Sequence, residues 1–217
     1  YYNVSIPSNY SININNGNIK ENVSQETSIK GLEEMSKYVN MPTINVYNIN
    51  NLTSKPNLVI KNNNGNNVDI NLDNNVIDLS RDFPTYDNQS DAQLNVDVKS
   101  FMENWSLFLS KDLSGTSYGF STISNYFIAN SKMYKQAYSW AHGIDITFTS
   151  KHTLKDPVFT NEKINNYVIY NENAFTCEVY LEKNMVVNGN DKIDYFNSRL
   201  DYVKINDEWK VVNIEGV

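Results

Sequence analysis

The spacing of apolar residues divides the chain into two parts with different periods. In the first ninety residues, short segments such as 11–14 and 43–49 alternate apolar and polar positions, which is the period of half-buried β-strands. The pair Asn16-Gly17 directly follows one of these segments and favours a tight hairpin turn. Residues 1–85 are therefore predicted to form a small all-β module.

Beyond residue 90 the apolar period changes to three or four residues, which is typical of an amphipathic helix. The residues that share this face are Leu94, Val98, Phe101, Trp105 and Leu109. Ser90 with Asp91 can cap the start of such a helix. Two more helical stretches are predicted over 122–127 and 131–141, and Gly143 is expected to end the second of them.

After residue 144 the chain alternates again, now over long segments. Five strands are predicted, at 144–154, 158–170, 174–187, 191–205 and 208–214. In the first strand Ile146 and Phe148 are predicted to share a face, and Pro157 is expected to break the chain before the second strand. In the third, the apolar face consists of Phe175, Cys177, Val179 and Leu181. Long strands of this kind predict a curled antiparallel sheet.

The polar stretch 82–90 contains Pro84 and is predicted to be a linker. It separates the β-rich module at 1–85 from a second domain at 90–217, in which helices precede the sheet. The predicted fold class is therefore α+β. Of the 37 asparagines, 22 lie within residues 1–90, in keeping with many tight turns in the first module.

Charge and composition exclude several classes of function. The chain has 25 acidic and 18 basic residues and a net charge of -7, which argues against a nucleic-acid partner. A single cysteine excludes an internal disulfide and a cysteine-based metal cluster, and two histidines leave little material for a histidine site. No metal and no cofactor are therefore expected.

The end of the chain carries a family resemblance. Residues 201–214 read Asp-Tyr-Val-Lys-Ile-Asn-Asp-Glu-Trp-Lys-Val-Val-Asn-Ile, a strand, a short polar turn and a strand that begins Trp-Lys. With the helices and the long meander before it, this ending resembles the nuclear transport factor two-like fold over about residues 90–217. The resemblance implies an α+β cone, in which a curled sheet wraps the helices and leaves a pocket at its mouth.

The start of the chain carries a second, looser resemblance. Its opening Tyr-Tyr-Asn-Val-Ser-Ile-Pro-Ser, with Asn15-Asn16-Gly17 soon after, is similar to the extracellular β modules of Gram-positive membrane-anchored proteins, such as the teicoplanin-resistance-associated membrane protein family. This resemblance implies an extracytoplasmic location at the cell surface. Because the chain opens with Tyr1 rather than Met, we expect a fragment or a mature form, with any membrane anchor or signal outside it.

Enzymes of the cone fold, such as ketosteroid isomerase and scytalone dehydratase, place an Asp or a His with Tyr in the cone. The candidate ligand-binding residues of this chain are accordingly Tyr134, Tyr138, Trp140, His142, Asp145 and Arg199. His142 with Asp145 could act as a general base with an orienting carboxylate, or His142 could simply cap the third helix. Tyr134 and Tyr138 share a helix face, and could line a cleft for a sugar or a peptide or pack the cone with their hydroxyls at its rim.

Three other residues have a structural and a functional interpretation. Arg199 could bind an acidic ligand or pair with its neighbour Asp201 on the sheet. His152 is expected to be a satisfied core or rim residue, since it lies in the apolar phase of its strand. Cys177 is expected to be a small buried residue, not a nucleophile.

The sequence favours a non-catalytic binding or assembly domain of a Gram-positive cell envelope, with a protein or a cell-wall component as partner. It offers no convincing acid–base pair, metal cluster or phosphate-binding loop. Two alternatives stay open. One is an isomerase-like or dehydratase-like enzyme that uses the cone pocket, which requires His142 and Asp145 to converge. The other is a component of conjugation or secretion machinery, which would form oligomers.

Overall fold

The chain is a mixed α+β protein in which most elements are strands. The computed structural model describes residues 1–144 and 150–217. Contacts divide it into two compact units, one made of Tyr1–Pro84 with Ile169–Glu172 and the other of Thr85–Val168 with Asn173–Val217. We refer to them as the N-terminal unit and the C-terminal unit.

The described elements of the N-terminal unit are short strands and one 3-10 helix, Met35–Lys37. The strands are β1 (Tyr2–Pro7), β2 (Ser11–Ile14), β3 (Gly17–Asn18), β4 (Gln25–Ser28), β5 (Thr43–Ile49), β6 (Leu58–Lys61) and β7 (Val76–Asp78). They form a four-stranded sheet in the order β4-β5-β1-β7 and a three-stranded sheet in the order β3-β2-β6.

Alternation along β1 decides which side of the four-stranded sheet is the core. Val4 pairs with Tyr47 of β5 and with Ile77 of β7, and all three side chains are buried in one apolar cluster. Ser5 pairs with Val46 and with Asp78 in the next row. Because successive side chains point to opposite faces of a strand, this second row lies on the outer face of the sheet.

The C-terminal unit combines three α-helices with a five-stranded sheet among the described residues. Its helices are α1 (Val98–Leu109), α2 (Phe120–Ser124) and α3 (Lys132–Ala141), and a 3-10 turn at Thr116–Gly119 precedes α2. Its strands are β8 (Thr85–Tyr86), β9 (His152–Asn171), β10 (Ala174–Val187), β11 (Asn190–Ile205) and β12 (Glu208–Gly216). The strand order is β12-β11-β10-β9-β8, with α1 packed on β10 and α3 on β12.

The first helix begins later than the sequence predicted. Its N-cap is Asp97, whose Oδ1 accepts the Ser100 N–H at 2.9 Å. The predicted cap, Ser90 with Asp91, lies instead in a polar turn, where the Asn88 side chain accepts the Asp91 N–H at 2.9 Å. Short polar side chains compete with the helix for backbone hydrogen bonds in this way, so the helix starts only after the turn.

The third predicted helix is confirmed, and the second is displaced. α3 follows Ser131, whose Oγ accepts the Tyr134 N–H at 3.2 Å, and it ends before Gly143. α2 begins at Phe120, two residues before the predicted start, because the left-handed conformation of Gly119 (φ +78°) ends the preceding turn and starts the helix there.

The predicted break at Pro157 is wrong, because β9 continues through it. A proline removes only the backbone donor of its position, and the Pro157 carbonyl still accepts a hydrogen bond from Asn184 Nδ2 at 2.8 Å. The predicted positions Ile146 and Phe148 lie outside the described residues.

Strand β10 confirms the predicted alternation. Phe175, Cys177, Val179 and Leu181 are all buried, with at most 1% of each exposed. The strand pairs with β11 in antiparallel register from Ala174 opposite Val203 to Val187 opposite Asn190. Asn188 and Gly189 connect the two strands with positive φ angles at both positions, which is typical of a tight hairpin turn.

Substitution of Gly119 by alanine is expected to destabilise the C-terminal unit by at least about 2 kcal/mol. A Cβ at this position would lie 2.5 Å from Leu113 Cγ and 2.9 Å from the Ser114 carbonyl oxygen, in addition to the left-handed φ. Gly189→Ala is the matched control, because its φ is +80° but nothing lies within 4 Å of the added Cβ. Denaturant unfolding followed by tryptophan fluorescence reports on this unit, since all three tryptophans belong to it. Equal losses in the two variants would contradict the steric argument.

Candidate functional site

The interior of the C-terminal unit is occupied by its own aromatic side chains. Trp105 of α1 is 3% exposed, and its ring lies 5.7 Å from Phe127, 5.7 Å from Phe108 and 5.6 Å from Trp140, measured between ring centroids. Phe101, one turn earlier, stacks on Trp105 at 6.1 Å. Trp140, one of the predicted site residues, therefore belongs to the packed interior.

The same packing continues onto the sheet. Tyr202 of β11 stacks on Phe175 of β10, with the ring planes 6° apart and the centroids at 4.7 Å. The Trp209 ring meets the Phe175 ring edge-on, with the two centroids 4.8 Å apart. The space beside Trp140 is lined by Phe108, Leu109, Lys111, Tyr118, Trp140 and Ala141, and it does not admit a water-sized sphere. A small-molecule pocket at this place would require the aromatic core to move.

Three other predicted site residues meet on the surface of the C-terminal unit. Tyr134, Tyr138 and His142 follow one another at intervals of four on α3 and its C-cap, so they share a face of the helix. Phe120 lies across this face, with its ring 5.3 Å from Tyr134, 5.5 Å from Tyr138 and 6.0 Å from His142. We call Phe120, Tyr134, Tyr138 and His142 the aromatic patch.

The aromatic patch is exposed and its rings hold one another in place. The Tyr138 side chain is 45% exposed, and the His142 ring stacks on it at 3.9 Å with the planes 22° apart. His142 Nδ1 lies 2.7 Å from the Tyr138 carbonyl oxygen, which can only accept, so Nδ1 carries a proton. His142 thus caps α3, which agrees with the second of its two interpretations in the sequence analysis. Asp145, its predicted partner, lies outside the described residues.

Arg199 lies in the sheet and forms ion pairs with its neighbours. Its Nε lies 2.8 Å from Asp201 Oδ1, and its second guanidinium nitrogen lies 2.8 Å from Glu215. Asp201 is fully buried and also accepts a hydrogen bond from Asn213 at 3.0 Å. Burial raises the pKa of Asp201, and the Arg199 guanidinium opposes that shift by stabilising the ionised carboxylate.

A buried lysine, which the sequence analysis missed, is the centre of a polar network. Lys183 of β10 has no exposed surface, and its Nζ donates to the Ser106 carbonyl and to Ser110 Oγ, both at 2.7 Å. Asp194, opposite Lys183 in the β10–β11 register, lies 3.4 Å from the same Nζ. The buried ammonium therefore has two hydrogen-bond acceptors and one ionic partner.

The network continues from Ser110 to the first described strand residue after α3. The Ser110 hydroxyl donates to Asp112 Oδ2 at 2.5 Å, and the same oxygen lies 2.9 Å from His152 Nε2. The other ring nitrogen of His152 lies 2.7 Å from the Ser150 carbonyl oxygen. We call Lys183, Ser110, Asp112 and His152 the polar network.

The charges of the polar network follow from these contacts. Hydrogen bonding to the Ser150 carbonyl and then to Asp112 raises the pKa of His152, because both stabilise the imidazolium. Burial lowers the pKa of Lys183, while Asp194 and Asp112 oppose that shift. Ser110 accepts from the Lys183 ammonium and donates to the Asp112 carboxylate, so this geometry joins α1 to the sheet.

One signal in the sequence could have found Lys183. It continues the apolar phase of β10, two residues after Leu181 and two before the buried Met185. A lysine in phase with buried positions requires a buried partner, which pattern alone does not name. Its partners Ser106 and Ser110 lie more than seventy residues earlier in the chain.

Two further searches cover the described residues, 1–144 and 150–217. They contain no group of three or more His, Cys, Asp or Glu side chains arranged to hold a metal ion. No described helix is both long enough and apolar enough to span a bilayer.

Comparisons with known proteins find a distant structural likeness and no match of sequence. No protein-family model and no curated protein matches the sequence. A solved structure described as an Ntf2 like protein involved in plasmid conjugation aligns with 88% of this chain at 13% identity and a TM-score of 0.33. The aligned region is 66% of that structure, so the chain spans just under two thirds of its length.

Replacement of Lys183 by methionine is expected to lower the free energy of unfolding of the C-terminal unit by about 1–3 kcal/mol. Methionine keeps the packing of the side-chain stem but removes the donor that serves Ser106 and Ser110. Lys135→Met is the control, since Lys135 is exposed on α3 and its loss should change stability by no more than about 0.5 kcal/mol. A Lys183→Met variant as stable as the wild type would show that desolvation of the ammonium cancels its hydrogen bonds.

The pairing of His152 with Asp112 predicts a pH dependence of stability. Because the pKa of His152 is raised in the folded state, its contribution is complete below the unfolded pKa of about 6.5 and is lost as the pH rises through the folded value. The difference in unfolding free energy between wild type and His152→Gln should therefore shrink as the pH rises above about 6.5. The control variant His142→Gln should keep the pH dependence of the wild type. Loss of the pH dependence in His142→Gln would refute its assignment to His152.

Proposed function

We propose that this protein is a non-catalytic binding or assembly component of a Gram-positive cell envelope. The observation that carries the proposal is a contrast within the C-terminal unit. Its described interior is filled by Trp105 and the rings around it, while Tyr138 and His142 of the aromatic patch are exposed. In a unit built in this way, the exposed aromatic side chains are the groups that a partner can contact.

The aromatic patch suits binding for a physical reason. Tyr138 is held between Phe120 and His142, so its orientation is set before a partner arrives and little side-chain entropy is lost on binding. Tyrosine rings combine a large apolar face with a polar hydroxyl, and such residues are enriched where proteins bind sugars, peptides or other proteins. The proposed partner is accordingly a cell-wall glycan or an envelope protein.

Two parts of the proposal rest on the sequence. The extracytoplasmic location is supported by the likeness of the opening residues 1–8 to extracellular β modules. The proposal includes a second version, an assembly role within conjugation or secretion machinery. In that version the chain also forms oligomers. An isomerase-like or dehydratase-like activity is the less favoured candidate, because the space beside Trp140 leaves no room for a substrate.

Tyr138→Ala is expected to weaken binding of the protein to isolated Gram-positive cell walls by about fivefold to tenfold, because it removes the exposed stacking ring. Co-sedimentation of the protein with the walls measures the affinity. Tyr195→Ala is the matched control, since Tyr195 is 61% exposed on β11 and outside the aromatic patch.

Walls stripped of protein and untreated walls distinguish the two kinds of partner. Binding to both indicates a glycan, and binding to untreated walls alone indicates a protein. If Tyr138→Ala and Tyr195→Ala bind as the wild type does, or if no wall preparation retains the protein, the proposal is wrong.

A further inference from the structure

The outer face of the four-stranded sheet in the N-terminal unit carries a groove of about 290 Å³. Ser5, Val46 and Asp78 line it from three adjacent strands, since Ser5 pairs with both of the others. Val4 and Ile6 occupy the alternate positions of β1 and are completely buried in the core. Seven of the ten lining residues are polar or charged, and the other three are Ile29, Ile44 and Val46.

Two cations lie at the sides of this groove. Lys30 follows β4 and Arg81 follows β7, and both are exposed. In the part of the chain that the structure describes, no carboxylate oxygen lies within 4.0 Å of either side chain's nitrogens. Residues 1–84 as a whole carry eight acidic and six basic side chains. Two cations without an ion pair on one groove of an acidic unit form a local site for a negative group.

Arg81 gives the groove a preference among negative groups. The chain has only two arginines against sixteen lysines, and the other arginine, Arg199, is held by Asp201 and Glu215 in the C-terminal unit. A guanidinium donates in a planar fork that matches the oxygens of a phosphate or a carboxylate. An oxyanion is therefore the group that Arg81 would recognise.

Asp78 and the hydroxyls of the lining set a second requirement. The Asp78 Oδ1 atom accepts the Ser80 N–H at 3.0 Å. Hydrogen bonding from Ser80 and, to a smaller extent, the nearby charge of Arg81 lower the pKa of Asp78, so the carboxylate is ionised beside the guanidinium. A bare oxyanion would be repelled by this charge. A ligand with hydroxyl groups can donate to Asp78, and it can also exchange hydrogen bonds with Ser5 and Ser28, which line the same groove.

We infer that this groove binds a hydroxyl-rich oxyanion, that is, a phosphorylated or carboxylated sugar or polyol. Arg81 and Lys30 would bind the oxyanion, and Asp78 would accept from the hydroxyls. The inference is independent of the aromatic patch, which belongs to the other unit, so either proposal can fail without the other.

Four probes separate the two requirements in titrations of the whole chain. Inorganic phosphate supplies the charge alone, glucose supplies the hydroxyls alone, and glucose 6-phosphate and glucuronate supply both. Amide chemical shifts at 27–30 and 78–81, recorded at low ionic strength, report binding at the groove. We expect glucose 6-phosphate or glucuronate to bind more tightly than phosphate and glucose. The stronger of the two shows whether the groove prefers a phosphate or a carboxylate.

Three variants test the residues. Arg81→Ala should weaken the binding of the preferred probe by about tenfold, because it removes the charge-assisted hydrogen bonds. Lys61→Ala removes the same charge from an exposed position of β6 outside the groove, and it should leave the affinity within about twofold. Asp78→Asn should strengthen binding of inorganic phosphate, because the repelling charge is gone.

The inference is overturned by any of three results. They are the absence of shifts at 27–30 and 78–81 with all four probes, equal affinity of Arg81→Ala and the wild type for the preferred probe, and inorganic phosphate or glucose binding as tightly as both glucose 6-phosphate and glucuronate. Arg81 and Asp78 are exposed, so their replacement is not expected to unfold the unit.

Discussion

Burial of the aromatic face of α1 against the sheet is the interaction on which the C-terminal unit depends. Trp105 contacts rings from its own helix, from α3 and from the segment between α2 and α3, while Phe101 reaches Tyr202 of β11 at 6.4 Å. Trp105 thus connects α1 with α3 and with the segment before it, and Phe101 connects α1 with the sheet. The same helix α3 carries the aromatic patch on its other, outward side.

The last turn of α1 shows how the same packing accommodates polar groups. The final carbonyls of a helix have no partner within it, and Lys183 meets that need by donating to the Ser106 carbonyl from the facing strand. The ammonium is favoured there because the C-terminal end of a helix carries partial negative charge. Asp112 and His152 extend the connection to β9, so the end of α1, β9 and β10 are joined by a single set of hydrogen bonds.

In the N-terminal unit, the alternation of side chains along a strand builds both the core and an exposed groove. Alternation along β1 sends Val4 and Ile6 into the core and Ser5 to the outer face, where it joins Asp78 beside Arg81. The groove and the aromatic patch differ in chemistry, one charged and rich in hydroxyls, the other aromatic. Both are surfaces formed by residues whose neighbours in the chain build a core.

The sequence by itself determined the features that depend on near neighbours. These are the helical period around Trp105, the end of α3 before Gly143 and the buried face of β10. The start of α1 was predicted wrongly, because polar side chains near residue 90 form a turn that competes with the helix. Only the tertiary structure decided that Lys183 meets the end of α1 and which side chains share the groove. Such contacts join residues far apart in the chain, and they depend on strand register and packing, which no local period encodes.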